Sequence, residues 1–377
     1  MSVSLYSFVM SITWSSLFIC LFYLCRKQDM FIKKFGLPSL FLLLVVAIIR
    51  MLCAFEMPFS IVISSSYIYP AVNDFLYTKI FYGLSMLHVL VALWILISCV
   101  LLFRIIRQYR KYVKSVQLIP IINDPQATAI MENIIGGGSS KAFPNIVKSV
   151  QIKIPFIIGF KSPTIYIPNI CFTDDELYYV LLHEWTHFIH RDGWIKLITQ
   201  IICAIYWWNP LVYLLSHDLE QTLEINCDKA VANKLSAQEL ADYARVILKV
   251  FVSIDEKPSS DPILSSALIQ SGSSNRIIQR FRLVLDNKQK KPKKGSVLFL
   301  MIFALFSFAF SFLFVMQPDY GAPPEFFSEG LYSSENAYIV PNETGGYDLY
   351  VDETFHSTLT QDEITSLLKG DIPIKNK

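Results

Sequence analysis

The sequence predicts a mainly α-helical, polytopic membrane protein with four transmembrane helices and a cytoplasmic α+β domain between the third and the fourth. Three observations predict it. Of the 377 residues, 53% are apolar and 17% charged, and mean hydropathy is +0.42; soluble domains carry about a quarter charged residues. The apolar surplus is gathered in runs long enough to cross a bilayer. Between the third and fourth runs the pattern changes to short β-type segments and charged helices.

Residues 2–25 carry no charge and form the first span. A cleaved leader has basic residues before its apolar run and small residues after it. Here Arg26 and Lys27 follow the run, so the span is expected to stay uncleaved. Residues 36–55 form the second span, with Arg50 near one end, where its stem can reach the interface. Residues 80–103 form the third, with His88 read as a packed histidine, and residues 296–316 form the fourth. Four regions follow: 1–104 with three spans, 105–295 as the cytoplasmic domain, 296–316 as the last span, and 317–377 as a short tail.

Basic residues orient the spans. Arg26, Lys27, Lys33 and Lys34 follow the first, and Arg104, Arg107, Arg110, Lys111 and Lys114 follow the third. Lys288, Lys290, Lys291, Lys293 and Lys294 precede the fourth. All three clusters share the cytoplasmic side if the N-terminus and the tail are outside. The tail has 11 acidic residues and 3 lysines, while the chain as a whole is +2. An acidic tail on a basic membrane body indicates two compartments and no direct nucleic-acid partner. The seven cysteines (20, 25, 53, 99, 171, 203 and 227) are scattered and form no CxxC pair. That excludes a disulfide framework and a structural zinc knuckle.

Residues 117–170 change texture. Gly136, Gly137 and Gly138 mark a loop, and Val150 to Pro168 reads as two short strands punctuated by Pro and Gly. In the tail, Asn336 to Val340 and Tyr347 to Val351 read as strands, and Thr360 to Glu363 as the cap of a short helix ending at Lys369.

The chemistry lies in His183-Glu184-Trp185-Thr186-His187, an H-E-x-x-H string. Histidines four apart lie one above the other on a helix, so both imidazoles can reach one metal ion. Glu184 is placed to hold a water and act as general base. Thr173 to Glu176 is a capping box, and Asp174, Asp175 and Glu176 set negative charge at the helix N-terminus. The bland alternative is a pair of buried histidines on an amphipathic helix.

A catalytic zinc ion takes three protein ligands and keeps a position open for water. Downstream, Glu220 and Glu224 are four apart on one expected helix, and periodicity leaves the choice between them open. Asp228 lies one further turn on, where it can orient a ligand histidine. His190 lies about 10 Å of helix rise from His183, too far for the same ion, and reads as solvated or substrate-side. His217 reads as a surface residue. Residues 197–216 also lack charge, but a crossing there would separate His187 from Glu224 by about 30 Å of hydrocarbon. The segment is therefore expected to return to the side it left, broken at Trp207-Trp208-Asn209-Pro210, either packed on its own domain or dipping into the interface.

The order and spacing of His183 to His187, Arg191-Asp192, Trp207 to Val212 and Glu224-Ile225-Asn226-Cys227-Asp228 resemble the BlaR/MecR-type membrane zinc metallopeptidases, which are signal-transducing gluzincins. Pro155 to Gly159 and Pro163 to Pro168 resemble that family's strand pair, and the likeness covers about residues 1–316. The resemblance implies a gluzincin domain holding one zinc ion, with Glu224 as third ligand beside His183 and His187. It further implies Asp228 and Asp192 as supporting acids, and a bacterial cytoplasmic-membrane location. The family cuts a cytoplasmic repressor, or itself, on an external signal. Its best-known members end in a penicillin-binding domain, whereas the 61 residues after the last span are too few for one. Ser366-Leu-Leu-Lys369 has no K-T-G after it and reads as a chance S-x-x-K.

The expected activity is thus a zinc metalloendopeptidase of the cytoplasmic membrane face with a protein or peptide substrate, such as a transcriptional repressor. The strand at Ile165, Tyr166 and Ile167 is the expected aligner of that substrate, and a homodimer is among the expected assemblies. Two other readings compete: a non-catalytic receptor with a structural zinc ion, and a housekeeping membrane protease of the prenyl-protein or stress type.

Overall fold

The computed structural model describes residues 4–65, 68–81, 83–119, 124–136, 143–255, 274–285, 293–318, 337–342, 347–351, 354–359, 364 and 373–375. The chain forms two compact units, residues 1–60 with 88–313, and residues 61–87 with 314–377. The expected helix at 360–369, the Ser366–Lys369 string, Gly137, Gly138 and Lys288 to Lys291 lie outside the described residues.

In the first unit, α1 (Leu5–Lys27) is capped by Ser4, whose hydroxyl accepts from Ser7 N. A short α2 (Asp29–Phe35) then meets α3 (Leu37–Leu52) at a 99° bend. Gly36 allows the bend, since its φ of 78° is costly for any residue with a Cβ. The unit's other membrane-type helices are α5 (Met86–Gln117) and α12 (Lys294–Phe310). Among the described residues, α1 and α5 are long and apolar enough to cross a membrane, and the bent pair would make a third. With 17 residues, α12 rises about 26 Å, short of the ~30 Å of hydrocarbon. The expected third span starts later than residue 80, because residues 79–81 and 84–85 are strands. His88 falls in the exposed first turn of α5 rather than in a packed interior.

Between α5 and α12 lie α6 (Pro125–Ile135), β4 (Asn145–Ser149), β5 (Phe156–Ile158), β6 (Thr164–Pro168), α7 (Asp174–Ile189), α8 (Asp192–Ile205), α9 (Pro210–Ala232), α10 (Ala237–Asp255) and α11 (Ser274–Leu285). The two strands expected between Val150 and Pro168 are β5 and β6, and β4, just before that segment, joins them in a sheet of order β4-β6-β5. β6 is parallel to β4 (Val147 opposite Tyr166) and antiparallel to β5 (Ile157 opposite Ile165). The substrate-aligning role expected of Ile165, Tyr166 and Ile167 therefore fails on geometry. Both edges of β6 are already paired, all three residues are buried, and the outer strands are β4 and β5, of which β5 lines the cavity. Gly159 ends β5 at φ 108°, with a Cβ position that would sit 2.3 Å from Ser162 O, so only glycine makes this turn.

α8 and α9 form a hairpin over residues 197–216. Asn209 caps α9 by accepting from Leu211 N, and Pro210 occupies the first turn. The hairpin lies among the membrane-type helices. Asn209 Nδ2 donates to Ser16 Oγ (3.3 Å), and Arg26 pairs with Asp218 (3.1 Å), so α9 runs alongside α1. At the tip, Tyr206 Oη donates to Met51 O (2.8 Å), and Trp94 Nε1 donates to Ile205 O (2.6 Å). The segment turns back at Tyr206–Asn209 as the zinc argument required, packed against α1, α3 and α5 rather than on its own domain alone.

In the second unit, β1 (Ile61–Ser65) pairs in parallel with β7 (Phe314–Pro318) and lies by α4 (Ile68–Tyr77). β2 (Lys79–Phe81) and β3 (Leu84–Ser85) form a small hairpin. The two strands expected in the tail are present as β8 (Ala337–Pro341) and β9 (Tyr347–Val351); they pair antiparallel, and β10 (Thr354–Leu359) adds a third strand. The segment between the second and third expected spans thus shares a unit with the tail.

Candidate metal centre

α7 is fixed by the capping box read from its sequence. Thr173 Oγ1 accepts from Glu176 N (3.3 Å), and Thr173 N donates to Glu176 Oε2 (3.0 Å). Its apolar face (Leu177, Val180, Leu181 and Trp185) packs into the domain core. That packing turns His183, Glu184 and His187 toward a cavity of about 1400 Å³, also lined by Tyr243, Glu224 and Arg280.

The two histidines face each other, Nε2 to Nε2, at 3.2 Å. Glu224 Oε2 lies 3.6 Å from His183 Nε2, and Glu224 Oε1 lies 3.5 Å from His187 Nε2. The outer nitrogens set the tautomers. His187 Nδ1 donates to Asp192 Oδ2 at 2.6 Å. His183 Nδ1 donates to Tyr243 Oη at 2.8 Å, and that hydroxyl donates to Asp228 Oδ1 at 2.8 Å. With a proton on Nδ1, a neutral imidazole turns an Nε2 lone pair to this focus. Burial acts against charge on the rings, but Cys227, Glu224 and the acids behind them raise His187 to about 10 and His183 well above its ordinary value, so without a metal ion the rings hold an extra proton and a bound cation would take its place. Tetrahedral zinc bonds of about 2.0–2.2 Å place ligand atoms about 3.3–3.6 Å apart, matching the three separations. The donor set and its spacing fit zinc.

The supporting residues come from four helices. Arg191, in the left-handed region (φ 59°), turns the chain between α7 and α8 and brings Asp192 back to His187. Asp228, on α9, is fully buried, and Arg280 of α11 clamps it through Nε–Oδ2 (2.7 Å) and Nη2–Oδ1 (3.0 Å). Arg280 also reaches Glu224 Oε2 (3.2 Å). Tyr243 of α10 stands between Asp228 and His183, so the acid acts mainly through the phenol; the direct separation is 3.5 Å. Neither Tyr243 nor Arg280 carried any local sequence signal.

Burial raises the Glu184 carboxyl above its ordinary value; the charges of His183 and His187 offset only part of the rise. For Glu224 burial acts in the same direction, but His187, Arg280 and His183 outweigh it and hold the carboxyl well below the usual range. Glu220 lines the same cavity, and burial raises its carboxyl, but the ion pairs reaching the imidazoles come from Glu224, Asp228 and Asp192. Cys227 lies against His183, its Sγ 3.5 Å from Nδ1 and donating to the His183 carbonyl (3.2 Å). That is the side of the ring turned away from the Nε2 focus. His190 is held by Asn226 (3.2 Å) and does not line the cavity, so it ties α7 to α9 rather than facing substrate. His217 accepts from Arg276 Nη2 (2.8 Å).

The BlaR1 peptidase M56 family profile matches residues 6–283. The chain belongs to that family. Among curated relatives, it is 30% identical to the "Regulatory protein BlaR1" of Bacillus licheniformis over 216 residues, covering 56% of this chain and 35% of that one. It is 25% identical to the "Regulatory protein BlaR1" of Staphylococcus aureus over 234 residues, covering 61% and 38%. To the "Methicillin resistance mecR1 protein" of Staphylococcus aureus it is 23% identical over 218 residues, covering 55% and 35%. The aligned part thus spans little more than a third of these relatives. The M56 match takes in α1 to α11 up to Leu283, and so every residue of the centre described above.

Proposed function

We propose that this M56 protein is a membrane-bound zinc endopeptidase in which His183, His187 and Glu224 hold the ion and Glu184 is the general base. The convergence of two Nε2 atoms and one carboxylate at 3.2–3.6 Å carries the reading. Bound zinc supplies Lewis-acid polarisation of a scissile carbonyl and lowers the pKa of water. The rest is the chain's own work. The Glu184 carboxylate takes a proton from the attacking water and returns it to the leaving amine nitrogen. Burial raises the carboxyl above its ordinary value, the direction that makes it a stronger base toward that water. Asp192, and Asp228 through Tyr243, hold the imidazoles in the required tautomer. The free edge of β5, with Pro155 to Phe160 along the cavity, is placed to pair with an extended peptide.

In this reading, the basic clusters set residues 105–295 on the cytoplasmic side and the tail outside, with four spans and with α8–α9 as a re-entrant hairpin. The substrate class is a cytoplasmic protein. A transcriptional repressor, or the chain itself, fits the "regulatory" names of the relatives. The test is zinc-dependent cleavage of candidate substrates by the wild-type protein beside Glu184→Gln, in membranes and purified. Equal cleavage by both would overturn the assignment, and a protein that accumulates only in a Glu184→Gln strain would identify the substrate.

A structural-zinc reading has one observation in its favour: Cys227 lies with His183 and His187 in a group whose ligand atoms are within 4.8 Å of one another. A centre with four protein ligands and no bound water, read from X-ray absorption of the zinc-loaded protein, would support it. The contacts of Cys227 with the Nδ1 side of His183 weigh against it.

A further inference from the structure

A second cavity, of about 1000 Å³, lies at the basic end of α1, between α1–α2 and α9–α11. Five cations line it: Arg26, Lys27, Lys33, Arg276 and Arg282. Two carboxylates answer them. Asp218 is engaged with Arg26 (3.1 Å), and Asp29 with Arg282 (2.8 Å). The lining therefore carries an excess of three positive charges. Arg26 is 4% exposed; its Nη atoms bind Gln221 (2.6 Å), Gln279 (3.2 Å) and Asp218, yet its buried Nε has no hydrogen-bond partner. Asp218 Oδ2 in the same lining is likewise buried without a partner, so what an anion in the cavity would meet is the surplus of three cations around it.

The rest of the lining favours one source of anion. Met30 (82% exposed) and Ile278 (48% exposed) place apolar surface beside the cations. A free phosphate has no use for that surface, whereas the first carbons of a lipid's acyl chains do. The level is also right: Arg26 and Lys27 form the last turn of a helix long enough to cross the bilayer, where headgroups lie. The 99° bend sends α2 away from the α3 axis, as for a helix lying in the interface.

We propose that this cavity binds the phosphate headgroup of an anionic membrane phospholipid. The site requires only that α1 crosses the bilayer, and holds whether or not the chain is a peptidase. It also touches the metal centre through one element. α11 gives Arg276 and Arg282 to the headgroup cavity and, between them, Arg280 to Glu224 and Asp228.

The probe is an equimolar mixture of phosphatidylglycerol and phosphatidylcholine presented to the full-length protein in detergent, with retained lipid read by native mass spectrometry. The wild type is expected to retain phosphatidylglycerol preferentially. Lys33→Gln/Arg282→Gln should lose roughly fivefold in that preference per cation removed. Asp29→Asn should raise it, a direction that mere loss of structure does not produce; melting curves check the fold of each variant. Equal retention of the two lipids by the wild type, or an unchanged preference in the double variant, overturns the proposal. Inorganic phosphate, titrated without lipid, separates the sources: saturation by phosphate with no lipid retained assigns the cavity to a soluble anion and overturns the lipid assignment.

Discussion

The two histidines proposed to hold the zinc ion are held by unlike partners, and the difference can be measured. Replacing Asp192 by Ala removes a charge-assisted hydrogen bond of 2.6 Å from a carboxylate that is 2% exposed. Such bonds contribute about 1.5–3 kcal/mol, or about 10- to 150-fold in an equilibrium constant. Loss of a partner behind a metal-bound histidine weakens metal affinity by about 10- to 100-fold, so the two routes agree. Replacing Tyr243 by Phe removes a neutral donor–acceptor link of 2.8 Å, worth about 0.5–1.5 kcal/mol, or about 2- to 12-fold. It also leaves Asp228 in place, still clamped by Arg280 and 3.5 Å from His183 Nδ1. The expected order of zinc affinity is therefore wild type, then Tyr243→Phe, then Asp192→Ala, as read by competition with a fluorescent chelator at pH 7. Asp192 also opens α8, so the metal-free melting temperature of each variant separates helix loss from ligand loss. An Asp192→Ala affinity within twofold of wild type, or a reversed order, would refute the reasoning.

Other outcomes follow from the same centre. Arg280→Gln leaves Asp228 buried without its cation and should cost about 3 kcal/mol in stability, the low end for a broken buried pair because Arg280 is partly exposed; a loss under 1 kcal/mol in chemical unfolding would count against the clamp. Glu224, whose folded pKa is depressed, contributes stability that is present above its ordinary value of 4.5 and is lost as pH falls toward the depressed value. Chelator-treated wild type should therefore lose melting temperature below about pH 4.5, and Arg280→Gln should show a shallower fall in that window. Glu224→Gln should weaken zinc binding by more than about 100-fold, beyond what loss of a supporting partner does, while Glu220→Gln stays within a few-fold; equal effects would undo the ligand assignment. Cysteines placed at the exposed Lys161 and Lys234, on either side of the α8–α9 hairpin, should both be labelled by an impermeant reagent from the same membrane face. Labelling from opposite faces would show a crossing instead.

What the sequence disclosed was local. The capping box at Thr173, the imidazole pair four residues apart and the break at Asn209-Pro210 each rest on contacts within one or two turns, and each is present. The strand error has a physical reason. Thr164 to Pro168 reads as an unbroken apolar run, the pattern of a strand buried on both faces and flanked on both sides, whereas Pro155 and Gly159 bracket the real edge. Tyr243 and Arg280 left no trace, since α10 and α11 are amphipathic helices on which one tyrosine or one arginine looks like any other. The pairing of β1 with β7 joins segments at opposite ends of the chain, which no period can announce. The apolar runs located the membrane helices well and their ends poorly, because helix and apolar stretch stop at different residues: α12 ends at Phe310, and the apolar run continues into β7.

The choice between Glu220 and Glu224 shows where a spacing argument must hand over to geometry. Both carboxylates lie on one stripe of α9 and both reach the cavity. Burial acts to raise both, and a neutral carboxyl is a poor metal ligand. Lys196 and Arg276 act on Glu220, but not enough to offset its burial, whereas His187, together with Arg280 in a direct ion pair at 3.2 Å, holds Glu224 ionised. The arrangement also divides its oxygens. Oε1 lies nearer His187 Nε2, and Oε2 faces Arg280 at 3.2 Å. A carboxylate has lone pairs for both tasks, so Oε2 can meet Arg280 while still lying 3.6 Å from His183 Nε2, and Oε1 stays turned to His187. The same guanidinium fixes Asp228, which fixes Tyr243, which fixes His183. One arginine from a helix with no motif thus orders two of the three ligands, and the third answers to Asp192 alone. That is why Asp192, with no second group behind it, is the single support whose loss costs the centre most.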